Sequence, residues 1–316
     1  MRRILTAIVV VLGLAGCAGT NGSGTDPGAE PPDSDVAAAF AERAEVVAEA
    51  WRQNVATGAW RDGFVPLQEL TVPPANGFPD DAAKYAFMAG RYAADVPLPD
   101  AVPAPGTIRF PDGATLSVPL VSARDAYDAL DQGDEPCRVA PAVPPPADHT
   151  PSGPDQVTST MAPHVCAELT VTGVTLGETR LRTSRGEATV PAWLFTLAGT
   201  TEPVARVAVA PSAVHEIPTP SLPDSPHVPG LVTAQHLDSV DGATLVYQLG
   251  VGACDYDIQP LVHETPEVVV VAGSVRTKPG VCTAMLKMEP VRVTLAEPLG
   301  DRVVVDAGTG VPLTVR

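Results

Sequence analysis

The side chains in this chain that could do chemistry are five cysteines, six histidines, a row of arginines and an aspartate in a glycine-rich turn. Their spacing narrows that chemistry. Cys137, Cys166, Cys254 and Cys282 include no C-x-x-C pair, so a thiolate zinc site has no support, and an even number of thiols reads as a disulfide framework. Three pairings are possible. Proximity favours Cys137–Cys166 and Cys254–Cys282, and each loop would contribute about 3–4 kcal/mol in the chain-entropy model. His149, His164, His215, His227, His236 and His263 show no H-x-H or H-x-x-x-H spacing, so no metal site is expected. Nucleophile signatures of the G-x-S-x-G and S-x-x-K kind are missing. An aspartyl catalytic loop needs a small hydroxyl residue directly after its Asp and a second copy. Asp306-Ala307-Gly308 has neither, and a hairpin turn accounts for its glycines. Arg180, Arg182 and Arg185 put two guanidinium groups on one strand face, which suits either a bound carboxylate or phosphate or a solvated face balancing neighbouring Glu. No catalytic residue is therefore assigned, and no cofactor is expected.

The fifth cysteine has a different setting. Arg2 and Arg3 open the chain, and Ile4 to Gly16 is uncharged and apolar or small. That run of about 13 residues is short of the roughly 20 that span a bilayer, so it reads as an export signal. It ends Leu14-Ala15-Gly16-Cys17, which resembles the lipobox of bacterial lipoproteins. The resemblance implies that Cys17 takes a diacylglyceryl thioether and becomes the new N-terminus. Two acyl chains hold a protein stably at a membrane where one does not. Residues 18–34 then read as a flexible tether, rich in Gly, Ser, Pro and acid. Export also places the remaining cysteines in an oxidising compartment.

The full chain carries a net charge of −17. Cleavage at Cys17 removes Arg2 and Arg3 and leaves 18 basic against 37 acidic side chains, a net −19. Such a surface is repelled by nucleic acid, which is excluded as a partner, and does not lie flat on anionic lipid. The expected partners are the membrane, through the anchor on Cys17, and a protein or small-molecule ligand whose identity stays open. Aromatic residues are 4% of the chain, so the core must be built mainly from Val, Leu and Ala.

The elements that would position these groups are mostly strands. One helix of about five turns is expected from Phe40, Ala44, Val47, Ala48 and Trp51, capped by Ser34 or Asp35 and ending at residues 54–58. Trp51 and nearby Trp60 read as core. A short helix is expected over 81–92, and a second after Ser122, where Ser122-Ala123-Arg124-Asp125 has capping-box form. A Pro-Asp-Gly turn at 111–113 joins two short strands. Residues 167–210 alternate as strands with turns at Gly177-Glu178 and Arg185-Gly186-Glu187. Runs at 231–237, 243–252, 258–264, 267–276, 291–297, 302–306 and 311–315 read as further strands. Two Pro-rich stretches interrupt the pattern, 138–155 and 211–230.

The expected class is mostly β (α+β): antiparallel, sandwich-like sheets with an N-terminal helix, stapled by disulfides. The organisation reads as a signal over 1–17, a tether over 18–34, a helix plus β-rich unit over 35–210, a Pro-rich linker or loop over 211–230, and a β-rich domain or second half of the sandwich over 231–316. Segments such as GFVPLQELT, SRGEATVPAWLFTL and EPLGDRVVVDAGTGVP resemble uncharacterised secreted lipoproteins of high-GC Gram-positive bacteria. This implies a tethered envelope protein on the extracytoplasmic face of the cell membrane and brings no functional residues. The expected function is a non-catalytic ligand-binding or structural module. The alternative is an extracytoplasmic hydrolase or envelope-modifying enzyme whose residues converge only in space.

Overall fold

The computed structural model describes residues 32–55, 58–132 and 167–316. Cys17, Cys137, Cys166, His149, His164 and the 138–155 stretch lie outside them. The described chain is mostly β with one long N-terminal helix and three short ones.

The helices are α1 (Ser34–Val55), α2 (Ala59–Asp62), α3 (Asp81–Met88) and α4 (Ala123–Asp128). The strands of the N-terminal half are β1 (Thr71–Val72), β2 (Tyr92–Ala94), β3 (Gly106–Arg109), β4 (Thr115–Val118), β5 (Leu169–Thr183), β6 (Gly186–Leu197) and β7 (Val204–Val207). Those of the C-terminal half are β8 (Leu231–Val232), β9 (Ala234–Asp241), β10 (Thr244–Gly252), β11 (Asp255–Glu264), β12 (Val268–Thr277), β13 (Leu286–Thr294) and β14 (Val303–Asp306).

The N-terminal half is one seven-stranded sheet built around the β5–β6 hairpin. β7 and β3 both pair with β6, and β2 runs parallel to β5. The Ser184-Arg185 turn joins the long strands, with Gly186 at φ 85° where its neighbours need a left-handed residue. Gly177-Glu178 is not the turn its composition predicts: β5 runs straight through it. Gly177 pairs with Ala192, and a Cβ there would lie 2.7 Å from Cδ1 of the diagonal neighbour Leu194, so glycine makes room for a neighbour and does not reverse the chain.

The C-terminal half is layered. β13-β10-β9 form an antiparallel sheet, while β11 and β14 flank β12, antiparallel and parallel respectively, with β8 pairing near the end of β12. Sheets pack on sheets through Val269, Val271 and Val304 on one side and Leu245, Tyr247, Leu249 and Val293 on the other. The opposite face of β12, with Val268, Val270 and Ala272, is covered by Phe40, Ala44, Val47 and Trp51 of α1. β12 is thus buried on both faces, which is why its sequence is a continuous valine run and not an alternation. At Gly273 a Cβ would sit 2.3 Å from Leu249 Cδ1, so only glycine lets the sheets approach there.

Two expectations change in space. The cap of α1 is Asp33, whose carboxylate accepts the Asp35 N–H at 2.9 Å; neither Ser34 nor Asp35 is the cap. The helix itself, grouped by chain position with 35–210, packs with the C-terminal half. Arg43 fixes it there, donating to the carbonyls of Ala307, Gly308 and Pro223, and Trp51 Nε1 donates to Gly310 O at 2.8 Å. Pro223 lies in the 211–230 stretch, which follows the C-terminal half as an ordered loop with Ile217, Leu222 and Val228 against its core. Residues 64–68 then join the halves: Phe64 enters the N-terminal core, Val65 and Leu67 the other. Among the described residues no helix is long and apolar enough to cross a membrane.

Candidate functional site

The turns of the two halves converge on a half-open groove of about 900 Å³. From the N-terminal half it takes the 111–112 turn, the β5–β6 turn and the end of α2. From the other it takes the β9–β10 turn, the 266–267 turn and residues 298–301. Short turns favour polar residues and glycine, and most of these turns bring charged side chains to the rim.

Three cations line it, Arg61, Arg182 and Arg185, with five carboxylates, Asp62, Asp112, Glu187, Glu267 and Asp301. Arg185 stacks 3.7 Å above the Phe110 ring and donates to Asp112 at 3.1 Å. Asp112 also accepts the Ala114 N–H, and these contacts, the backbone one foremost, hold its carboxyl below the usual range. Arg182 donates to Arg302 O at 2.9 Å. Burial pulls its guanidinium below the ordinary value, opposed by Glu187 and Asp301, and it stays charged. The Arg61 and Asp62 side chains make no hydrogen bond or ion pair with a described residue, so the lip of the groove carries both signs of available charge. Trp60 contributes apolar wall, and its carbonyl accepts from Ser184 Oγ at 2.8 Å.

The arginine row expected from sequence is therefore divided by its surroundings. Arg180, exposed and outside the groove lining, pairs with Glu187 at 3.1 Å, whereas Arg182 and Arg185 reach the groove themselves. Cys254 and Cys282 form a disulfide, with Cα atoms 5.9 Å apart. Trp51 and Trp60 are buried against each other, ring centroids 5.3 Å apart. Asp306 is buried, and its carboxylate accepts from Ala234 N, Thr309 N and Thr309 Oγ1 at 2.8–2.9 Å, which makes it the clasp of the 306–310 turn. His236 lies 3.4 Å from Asp238, which also accepts from Gln248 Nε2 at 2.6 Å, and His263 lies 3.5 Å from Glu45. No group of three His, Cys, Asp or Glu that could hold a metal exists among the described residues.

A second recess of about 330 Å³ has Asp62, Ser117 and His215 among its lining residues, with Gly58 and Gly63. No hydrogen bond links those three side chains among the described residues. Sequence reasoning missed the groove carboxylates Asp62, Asp112, Glu267 and Asp301. Of their positions only the turn at Asp112 was legible, and nothing in the chain says that turns from two halves end at one place. No protein-family model matches the chain, and neither a curated protein nor a solved structure does.

Proposed function

We propose that the chain is a lipid-anchored extracytoplasmic envelope protein that binds a ligand of mixed charge, such as a peptide segment, in the groove between its halves. The groove carries this reading. It is large enough for a small ligand, its lining holds both guanidinium and carboxylate groups, and the Arg61 and Asp62 side chains pair with no described residue. Anchoring is supported by Leu14-Ala15-Gly16-Cys17 and by the tether that follows.

The test is to place a photo-crosslinking residue at Asp301 or at Val102, exposed and outside the groove lining, in the full chain, in a high-GC Gram-positive host, and to weigh the N-terminal peptide. A discrete envelope adduct from Asp301 alone, with a diacylglyceryl mass on Cys17, supports the proposal. Equal labelling from both positions, or an unlipidated Cys17, overturns it. The hydrolase reading has one observation in its favour, the Asp62–Ser117–His215 recess. Ester or amide turnover by the purified chain that disappears in His215→Ala would replace binding with hydrolysis.

A further inference from the structure

One corner of the C-terminal half exposes apolar side chains where a soluble sheet should be polar. On β13 the outward positions near its start are Leu286 and Met288, 70% and 42% exposed. Val281 is exposed in full, and Met285 and Tyr256 are half-exposed. These are five of the eleven large exposed hydrophobic residues among those described, gathered at one place. Leu286 stands opposite Gly252 and Met288 opposite Gly250, while Tyr256 pairs with Arg276 on the adjoining sheet. The Cys254–Cys282 bridge ties the loop carrying Val281 and Met285 to the start of β11, so that loop is held outward by a covalent link.

Both signs of charge border the corner: Asp257 lies 3.3 Å from Arg276, Asp255 stands opposite Thr277, and Glu289 follows Met288, with lysines beside them. The chain has only three lysines in a net charge of −17, and two of them, Lys278 and Lys287, are here. Lys278 Nζ lies 5.8 Å from the Tyr256 ring centroid. Apolar and aromatic groups flanked by lysines suit the boundary between head groups and acyl chains.

The tether ends on the same side. α1 runs antiparallel to β12: near its N-terminus Val36 lies beside Gly230 and Val275, while Arg52 in its last turn reaches Glu267. Lys278 follows directly on β12, so the first turn of α1 and the apolar corner share one end of the sheet. Sixteen residues separate Cys17 from Ser34. A Gly-, Ser- and Pro-rich linker of that length would span about 20–24 Å, short enough to keep this end at the membrane. The groove meets β12 at its other end, at Pro266 and Glu267, and ten strand residues put it about 30 Å away.

We propose that the corner of Tyr256, Val281, Met285, Leu286 and Met288 is a second membrane contact, seated in the lipid surface to which Cys17 is anchored, and that it points the groove away from the membrane. This rests on the lipid-anchored reading, and the experiment separates the two. The full lipidated chain is reconstituted into vesicles of brominated phosphatidylcholine with a minor share of phosphatidylglycerol, as Val281→Trp and, at the groove, Asp301→Trp. Val281 packs against nothing, so its replacement leaves the fold intact; Met285→Trp serves as a second probe. The expected result is that vesicles float with the protein and that the added emission is mostly lost in Val281→Trp and Met285→Trp but kept in Asp301→Trp. Flotation with lipid mass on Cys17 but no selective quenching overturns the corner and leaves the anchor. Absence of lipid mass and of flotation overturns both. A dimer abolished by Leu286→Asp, with Val281→Trp unquenched, would assign the corner to a second copy of the chain instead.

Discussion

Asp306 is tightly held, because three donors converge on a carboxylate that is 1% exposed. Burial raises its pKa and those bonds pull it back down, burial being the larger effect. Asp306→Asn keeps the shape but turns an N–H₂ toward Thr309, leaving donors face to face. The expected loss is about 1–3 kcal/mol, measured by denaturant unfolding. A drop no larger than that of an exposed Asp→Asn change would mean the clasp is dispensable. Three tyrosines set a second expectation at this scale. Desolvation, with nearby carboxylates, pushes Tyr127 up to about 12, and burial raises Tyr92 and Tyr247 as well. A raised folded pKa means the folded state keeps its proton longer than the unfolded chain does. That stability is complete below about pH 10 and is lost as pH rises through about 12. Alkaline titration should therefore show part of the tyrosinate band appearing together with loss of circular dichroism. Smooth ionisation of all tyrosines ahead of unfolding would contradict this.

Elements show how much could be read from the chain and where reading stopped. The stripe Phe40, Ala44, Val47, Ala48, Trp51 specifies a helix with one buried face, and α1 has it. Periodicity says that such a face is covered but not by what, and its partner β12 lies more than 200 positions away in the chain. The capping box at Ser122 and the Pro-Asp-Gly hairpin were legible because their hydrogen bonds close within four residues. Gly177 misled for the opposite reason: its cause is Leu194 on the next strand, a contact no local rule contains. The disulfide pairing Cys254–Cys282 followed from proximity alone. Two losses should follow. Trp51→Ala removes the largest side chain between α1 and the sheet together with its bond to Gly310 O, for about 3–5 kcal/mol. Cys254→Ser with Cys282→Ser frees a loop spanning 28 positions and should cost about 3–4 kcal/mol, read as a lower denaturant midpoint. A helix that still protects its amides in Trp51→Ala would show that Trp60 and Phe40 suffice.

For the molecule as a whole, the two halves are tied by few but regular backbone contacts. Residues 64–68 run beside the end of β5, where Leu67 N donates to Arg182 O and Ser184 N to Val65 O, both at 2.9 Å. The last residues close the same seam: Val315 N donates to Leu67 O at 2.9 Å, while Leu237 N takes Thr314 O and Arg316 N takes Leu237 O. The groove lies across this joint, so its charged turns keep their spacing only while the seam holds. The cores on either side are separate clusters, and each half could lose order alone if the seam opened. With the seam intact we expect one cooperative calorimetric transition for the folded part, shifting upward with added salt as self-repulsion of its acidic surface is screened. Truncation after Pro312 removes Leu313 from the C-terminal core along with the Val315 link. It should split the transition in two, with the C-terminal half melting first and Arg182 becoming accessible to guanidinium-modifying reagents at temperatures where the full chain protects it. A truncated chain that still unfolds in one step would place the coupling in α1 and the 64–68 segment, whose Val65 and Leu67 already sit in the core that α1 covers.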